Sequence, residues 1–493
     1  MSKIVIGLEV HITLSTESKM FCSCSNNPSE SEGNVNICPV CMGHPGALPV
    51  INRVAIEKTI KTGLALGSNI PEYSQFDRKN YFYPDLPKGY QISQHKYPLC
   101  KNGHLKIEDR DIQIERIHLE EDAGRLIHPS GADYSLVDFN RSGVPLMELV
   151  TKPDIHSASE AKKFAEELRI ILRYLNVSNA DMENGEMRVD ANISISSKTG
   201  VVDGTKVEIK NLNSFKAIER SLNYEIERQI KLIEKGHKII QETRGWDDSK
   251  GATISQRSKE EAYDYRYFPE PDLPPLYLND RSFIDIDKIR GSISELPSER
   301  FYRLIDEYGL SGKEAEFFVF NKEIGDYYEN IVSELVNWDN ETRLKTINSR
   351  ENRLILSRIA ANYVLTDLQS LSGGELVFPI TAENFAELIY LIYKKEVSNN
   401  IAKIVLREMF ETGGDPSNII EEKGLKEIND SSEINKVIEK VITENPKPVG
   451  DYRAGKEESI KFLIGKVMAE TRGRANPRTI DKILKLKLKK DLS

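Results

Sequence analysis

Cys22-Ser23-Cys24 and Cys38-Pro39-Val40-Cys41 place two close cysteine pairs on either side of a short polar loop, Ser25 to Ile37. Such a set can hand four thiolates to one tetrahedral zinc, and the Pro-Val step suits the tight turn of a metal knuckle. Four thiolates close the coordination sphere, so this zinc would order residues 22–41 and leave no open position for catalysis. A disulfide pair or unligated thiols are the alternatives. Cys100 stands alone and reads as a packed or partly exposed thiol. Five cysteines, four of them clustered, do not resemble a secreted disulfide framework and point to a reducing compartment.

Carboxylates with an imidazole form a second group. Glu9 and His11 stand two apart in an alternating run, so both side chains leave one face of a strand. Further acids are embedded in apolar strand-like runs, in Ile117-His118-Leu119-Glu120-Glu121-Asp122 and in Leu146-Met147-Glu148-Leu149-Val150. An unpaired charge is expensive to bury there, so something must compensate it. A divalent cation does so, and carboxylates with one imidazole suit Mg2+ or Mn2+ better than zinc. Solvent-facing glutamates paired with Arg or Lys are the ordinary alternative, and residue type leaves both open.

Gly450-Asp451-Tyr452-Arg453-Ala454-Gly455-Lys456 has the glycine and lysine spacing of a phosphate loop. However, Glu457 stands where Ser or Thr must reach Mg2+, and no hydrophobic strand precedes it, so it is not read as a nucleotide site. Without a kinase loop set or a dinucleotide fingerprint, any ATP use must run through a metal held by carboxylates on a sheet. In Asp77-Arg78-Lys79-Asn80-Tyr81-Phe82-Tyr83-Pro84-Asp85, cations interleave with three aromatics, a mixture suited to an unpaired nucleotide end or a polar passage.

The elements that must position these groups are legible in the periodicity. Ile4, Ile6, Leu8, Val10, Ile12 and Leu14 share one face of a strand; Met187 to Ile195 alternates likewise, setting Arg188, Asp190 and Asn192 opposite Val189, Ala191 and Ile193. Ser157-Ala158-Ser159-Glu160 predicts a capping box opening a helix with Phe164, Leu168, Ile171 and Leu175 in its apolar stripe. The Pro-rich stretch 268–275 predicts an extended loop. After about residue 290 helical stripes dominate, such as Ile324, Tyr327, Tyr328, Ile331 and Val332. Near the end, Ile460, Leu463 and Val467 give one helix, Gly473 breaks it, and Asn476-Pro477 caps and opens another. That tail is rich in cations, including Lys466, Arg472, Arg474 and Arg478, although the whole chain of 493 residues carries a net charge of −9. An acidic chain excludes a general coat of nucleic acid and allows only a local basic surface, while a solvated helix face remains the bland reading of the tail. This length exceeds one hydrophobic core and predicts two or three domains. No leader and no apolar run of membrane length is found, so a cytoplasmic protein without a membrane partner is expected.

At this point seven ordered blocks carry a resemblance: Ile6-Gly7-Leu8-Glu9-Val10-His11, Phe76 to Asp85, Gln91-Ile92-Ser93-Gln94, Leu119 to Gly124, Asp138-Phe139-Asn140-Arg141, Lys210 to Ser214 and Asp264 to Asp272. Together with Phe462 to Met468 and Ala475-Asn476-Pro477, they resemble the B subunits of glutamyl/aspartyl-tRNA amidotransferases along the whole chain. The resemblance implies an α+β fold. A glutamine synthetase-like antiparallel cradle would span 1–292 with the knuckle inside it, followed by a helical domain, 293–405, and a helical tRNA-binding tail, 406–493. It implies ATP-dependent phosphorylation of the side-chain carboxylate of Glu-tRNA(Gln) or Asp-tRNA(Asn), then amide formation with ammonia. Ammonia would come from the amidase (A-type) subunit of the same enzyme; a small C-type subunit completes the heterotrimer, and the cognate aminoacyl-tRNA synthetase is a further candidate partner. His11, Glu121 and Glu148, with Glu9 nearby, are implied as Mg2+ ligands and catalytic groups. Lys79, Tyr81 and Lys88 are candidates to line the ammonia passage or receive the tRNA end, and Arg188, Asp190 and Asn192 to hold substrate. The four cysteines rest on their spacing alone. The rival readings are a zinc-dependent tRNA-binding protein without ATP chemistry and the archaeal-type paralogue, which carries an extra insertion not seen here.

Overall fold

The structure, a computed structural model, describes residues 3–27, 30–196, 204–258, 265–341, 349–373, 378–425, 431–471 and 474–490. The chain divides into two compact units, Met1–Pro297 and Ser298–Ser493.

The first unit opens with β1 (Lys3–Thr13), α1 (Arg53–Ala65), β2 (Tyr73–Ser74), β3 (Asp77–Asn80), β4 (Tyr90–Ser93), β5 (Cys100–Ile107) and β6 (Arg110–Glu121). It continues through β7 (Arg125–Ile127), β8 (Leu136–Asp138), β9 (Pro145–Thr151), α2 (Ala158–Tyr174), β10 (Met187–Ser196), β11 (Val207–Leu212) and α3 (Phe215–Glu234). It ends with β12 (Glu242–Asp247), β13 (Ala252–Ser258), β14 (Phe268–Pro269), β15 (Leu276–Tyr277) and α4 (Ile286–Gly291). Eight strands form one sheet in the order β13-β12-β11-β10-β1-β9-β6-β5. The long apolar strand β1 lies inside it, paired with β10 on one side and β9 on the other. Its even-numbered residues Ile6, Leu8, Val10 and Ile12 are fully buried with Met147, Leu149, Leu119 and Val189 in one core, to which Phe164 and Leu168 of α2 and Ile218 and Leu222 of α3 contribute.

The sheet departs from the expected purely antiparallel form at one pair, because β11 and β12 run parallel. A parallel pair needs a long crossover, and the intervening α3 supplies it. Ser157 caps α2 as its sequence predicts, its hydroxyl accepting from Glu160 N at 3.1 Å. The reciprocal arm of the capping box reaches one residue further, the Glu160 carboxylate accepting from His156 N at 2.7 Å. The Pro-rich loop is extended, with Phe268–Pro269 pairing as β14 beside β3 and Leu276–Tyr277 as β15 beside β2.

Helices make up the described part of the second unit. They are α5 (Pro297–Tyr308), α6 (Gly312–Phe320), α7 (Lys322–Glu341), α8 (Arg350–Asn362), a π-helical turn at Tyr363–Leu368, α9 (Gln369–Ser372), α10 (Ala382–Tyr393), α11 (Asn399–Thr412) and α12 (Pro416–Glu422). The series ends with α13 (Ser431–Glu444), α14 (Pro446–Arg453), α15 (Ser459–Glu470) and α16 (Pro477–Lys490). The stripe of α7 is buried from Ile324 to Val332. The final four helices close a core of their own around Ile438, Leu463, Val467, Ile480 and Leu484. The phosphate-loop-like stretch falls largely on helix α14, without a strand before it.

Candidate active site

Helices cover one face of the large sheet, and the other face carries the polar groups. Strand pairing sets His11 of β1 directly beside Glu148 of β9, and Glu148 beside His118 of β6. Adjacent strands lie about 4.8 Å apart, so three side chains on one row and one face must touch. His11 Nε2 lies 3.5 Å from Glu148 Oε2 and 3.8 Å from Glu120 Oε1, while His118 Nε2 lies 3.3 Å from Glu148 Oε2. One ligand atom from each of His11, Glu120 and Glu148 lies within 4.8 Å of the others. An octahedral Mg2+ with ligands at about 2.1 Å spans up to about 4.2 Å between opposite ligands, so the trio can close on such a cation with small rotamer changes. Burial pushes the His11 imidazole down, but its hydrogen bond to Glu148 and the charges of Glu148 and Glu120 outweigh that and raise it to about 9. Burial of Glu148 is similarly overcome by His118 and His11, which hold its carboxyl well below the ordinary range. The Glu148 carboxylate thus stays ionised beside a ring whose proton lies where a divalent cation would sit. Among the described residues the buried His118 Nδ1 has no hydrogen-bond partner, a further sign of a site built for more than protein atoms.

The expected ligand Glu121 lies elsewhere. It follows Glu120 on β6 and therefore leaves the opposite face, where Lys88 Nζ bonds its carboxylate and Ile92 N donates to it at 2.9 Å. Glu120 takes the position beside His11. Glu121 and Lys88, both nearly buried, line a separate cavity of about 220 Å³ with Cys22, Cys41, Gly43 and Gly143. Glu9 shares the face of His11 but stands one row away, accepting from Asn192 Nδ2 at 2.9 Å.

A cleft of about 620 Å³ opens over the polar face, lined by His11, Glu120, Lys79, Tyr81, Arg188 and Asp190 among others. Lys79 lies 5.0 Å from the Tyr265 ring centre and 5.7 Å from that of Tyr81. Burial opposes its charge, yet Glu120 and its other anionic neighbours raise the ammonium pKa above the ordinary value. Asp190 faces Lys210 at 3.6 Å and Arg188 reaches Asp122 at 3.2 Å. Of the expected substrate and channel residues, Lys79, Tyr81, Arg188 and Asp190 therefore meet in the cleft. Lys88 belongs to the other cavity, and Asn192 supports Glu9. The sequence reading named His118, Glu120 and Asp122 within their acidic run and Lys210 and Arg141 within resembling blocks, but gave none of them an individual role. The i, i+2 spacing of His118 and Glu120, identical to that of Glu9 and His11, is the signal that could have found the first two.

Cys22, Cys24, Cys38 and Cys41 converge, one sulfur from each lying within 4.8 Å of the rest. Cys38 and Cys41 Sγ are 3.8 Å apart, which matches the edge of a tetrahedron with Zn–S of about 2.3 Å. All four are free thiols rather than disulfides. A hydrogen bond from Cys22 lowers the Cys41 thiol to about 5, with help from the charge of Lys19; the same bond pushes Cys22 up. Lys19 is fully buried, 3.9 Å from Cys41 Sγ, and donates to Asn36 O at 2.6 Å. The intervening loop is also tied to the following chain, Asn36 N donating to Asn140 Oδ1 at 2.9 Å and Asn140 Nδ2 to Glu32 O at 2.7 Å.

Comparison with known proteins decides the family. Residues 4–284 match the model of the GatB/GatE catalytic domain, and residues 329–488 match that of the GatB domain. The chain belongs to the GatB family. Relatives named as the B subunit of aspartyl/glutamyl-tRNA(Asn/Gln) amidotransferase include one from Carboxydothermus hydrogenoformans, 46% identical over 99% of this chain and 98% of its own length. Another, from Thermodesulfovibrio yellowstonii, is 48% identical over 97% of this chain and 98% of its own, and one from Thermotoga maritima is 45% identical over the same shares. In GatB terms, the converging histidine and glutamates lie inside the matched catalytic domain, and the basic helices α15 and α16 inside the matched GatB domain. There Lys466 and Arg478 are exposed, and Arg474 Nε donates to Thr471 O at 3.2 Å. Arg472 and the helix-breaking Gly473 lie outside the described residues.

Proposed function

We propose that this chain is the B subunit of a tRNA-dependent amidotransferase and performs its activation and amide-forming steps on the open face of the large sheet. The observation that carries this reading is the convergence of His11, Glu120 and Glu148 from three adjacent strands, with His11 and Glu120 on the wall of the 620 Å³ cleft. These three residues would hold Mg2+, which supplies neutralisation of nucleotide phosphates against an otherwise repellent acidic floor. The cradle is then similar to that of glutamine synthetase, with helices behind the sheet and nucleotide in front.

A side-chain carboxylate oxygen of mischarged Glu-tRNA(Gln) or Asp-tRNA(Asn) attacks the γ-phosphorus of ATP, and ADP leaves. Ammonia then attacks the acyl carbon, phosphate departs, and the nitrogen loses one proton. Lys79 offers a fixed positive charge beside the carboxylate pair, suited to the transferred phosphoryl group. Arg188 and Asp190 hold the polar parts of the substrate, and Glu9 keeps Asn192 in place. Glu121 and Lys88, on the far side of β6, line the approach of ammonia from the amidase (A-type) subunit, with a small C-type subunit completing the assembly. The synthetase that mischarges the tRNA is a fitting transient neighbour. The basic face of α15 and α16 grips tRNA through phosphates and shape, and the four cysteines hold a structural zinc. A cytoplasmic location fits this work, and among the described residues no helix is long and apolar enough to cross a membrane.

The test combines the complex with mischarged tRNA, ATP, Mg2+ and ammonium, so that the amidase is bypassed. Glu120→Gln should abolish tRNA-dependent ATP cleavage as well as amide formation, whereas Glu121→Gln should spare ATP cleavage and lower amide formation. Equal ATP cleavage in Glu120→Gln and the unmodified chain would overturn the ligand assignment.

A further inference from the structure

The thiolate cluster and the Glu121–Lys88 pair share one wall. Gly43, two residues beyond Cys41, has φ +68°, and a Cβ there would lie 2.4 Å from Lys88 Cγ and 3.3 Å from Lys88 Cα. The turn that follows Cys41 therefore lies flat against the lysine stem. Gly143 closes the other side: a Cβ on it would lie 3.3 Å from Cys41 Cβ and 4.0 Å from Glu121 Oε2. Backbone just ahead of the knuckle and at the end of β6 holds Gly143 there, since Met20 N donates to Gly143 O at 2.8 Å and Gly143 N to Asp122 O at 2.9 Å. Glu121 is 3% exposed and Lys88 8%, so each ion depends on the enclosure that keeps its partner in place.

Resting on the reading of the cysteines as a zinc site and of Glu121–Lys88 as part of the ammonia approach, we infer that the knuckle is a positioning element for that pair. It is more than a remote folding module. With the four sulfurs tied, Gly43 and Gly143 are held against Lys88 and Glu121, and the ion pair keeps one geometry. With the sulfurs released, the turn 41–46 is freed and the pair loses a wall. Because Glu121 adjoins Glu120 on β6, this wall stands one peptide from the proposed cation site.

Coupling of this kind is reciprocal, which gives a readout independent of catalysis. In the full-length chain, zinc affinity measured by equilibrium competition with a chromogenic chelator should be at least about fivefold weaker in Lys88→Met and in Glu121→Gln than in the unmodified chain. Lys231→Met, an exposed change on α3, should leave the affinity unaltered. In the assembled complex with ammonium as donor, Gly43→Ala should keep its zinc and its tRNA-dependent ATP cleavage while amide formation falls. Equal zinc affinities in Lys88→Met, Glu121→Gln and the unmodified chain would overturn the inference, even if Gly43→Ala does not fold. Failure of the unmodified complex to form amide would instead strike the parent function, and the zinc affinities would still judge the coupling.

Discussion

Asp122→Asn removes one charge from a cluster whose cost can be worked out. The Asp122 carboxylate follows β6, is 6% exposed, and accepts from Arg141 Nε, from Arg188 at 3.2 Å and from Ala123 N at 3.0 Å. Burial alone would raise its pKa, but the charges of Arg188 and Arg141 win and hold the carboxyl below its ordinary value. The amide keeps the shape and leaves two guanidinium groups without their shared counter-ion. Breaking a buried pair in this way costs about 3–5 kcal/mol, and the lower end applies because Arg188 can turn toward the open cleft. For a unit spanning Met1–Pro297, about 3 kcal/mol corresponds to a fall of roughly 5 °C in Tm. The pH dependence has a defined sign. A carboxyl depressed on folding stabilises above its unfolded pKa of about 3.9, and that contribution is lost as pH falls through the folded value. Thermal melting of both chains should therefore show a constant gap between about pH 5 and 8 that closes in acid. A gap under about 2 °C at neutral pH, or one that widens on acidification, would refute the assignment of Asp122 as the anchor of Arg141 and Arg188.

The proton that His11 holds, with its pKa raised to about 9, must leave when a cation binds. Mn2+ affinity measured by electron paramagnetic resonance should thus strengthen about tenfold from pH 7 to 8, and a pH-independent isotherm would count against His11 as a ligand. Lys466→Glu combined with Arg478→Glu should weaken tRNA binding and flatten the slope of log affinity against log salt by about 0.7–0.9 per lost phosphate contact; an unchanged slope would remove α15 and α16 from the RNA surface. Ser157→Ala should cost about 1 kcal/mol in urea unfolding through loss of the α2 cap, and no change would mean that Glu160 caps the helix without it.

Some of this was written in local pattern. Alternation along β1 already put Glu9 and His11 on one face, the spacing of the four cysteines already suited one tetrahedral ion, and Asn476-Pro477 already marked the start of α16, where Asn476 Oδ1 accepts from Arg478 N at 2.9 Å. Each of these depends on residues near one another in the chain, so period and spacing suffice. The choice between Glu120 and Glu121 does not. In β6 the apolar side chains that reach the core are Ile112 and Ile114, then Ile117 and Leu119, because the pairing with β9 shifts register between Ile114 and Arg116. An irregularity there reverses which parity faces the core; the step from Ile114 to Ile117 carries that change in the sequence, but only the pairing with β9 puts Glu120 rather than Glu121 on the face of Glu148. The same holds for Lys88 meeting Glu121, 33 residues away, and for Gly143 packing on Cys41. Residue types and spacing determined that this chain owns four thiolates able to meet at one ion, and carboxylates near an imidazole that could meet at another. Which carboxylate joins the imidazole, and that the thiolates back onto the other one, was decided only when strand register and loop closure brought distant segments together.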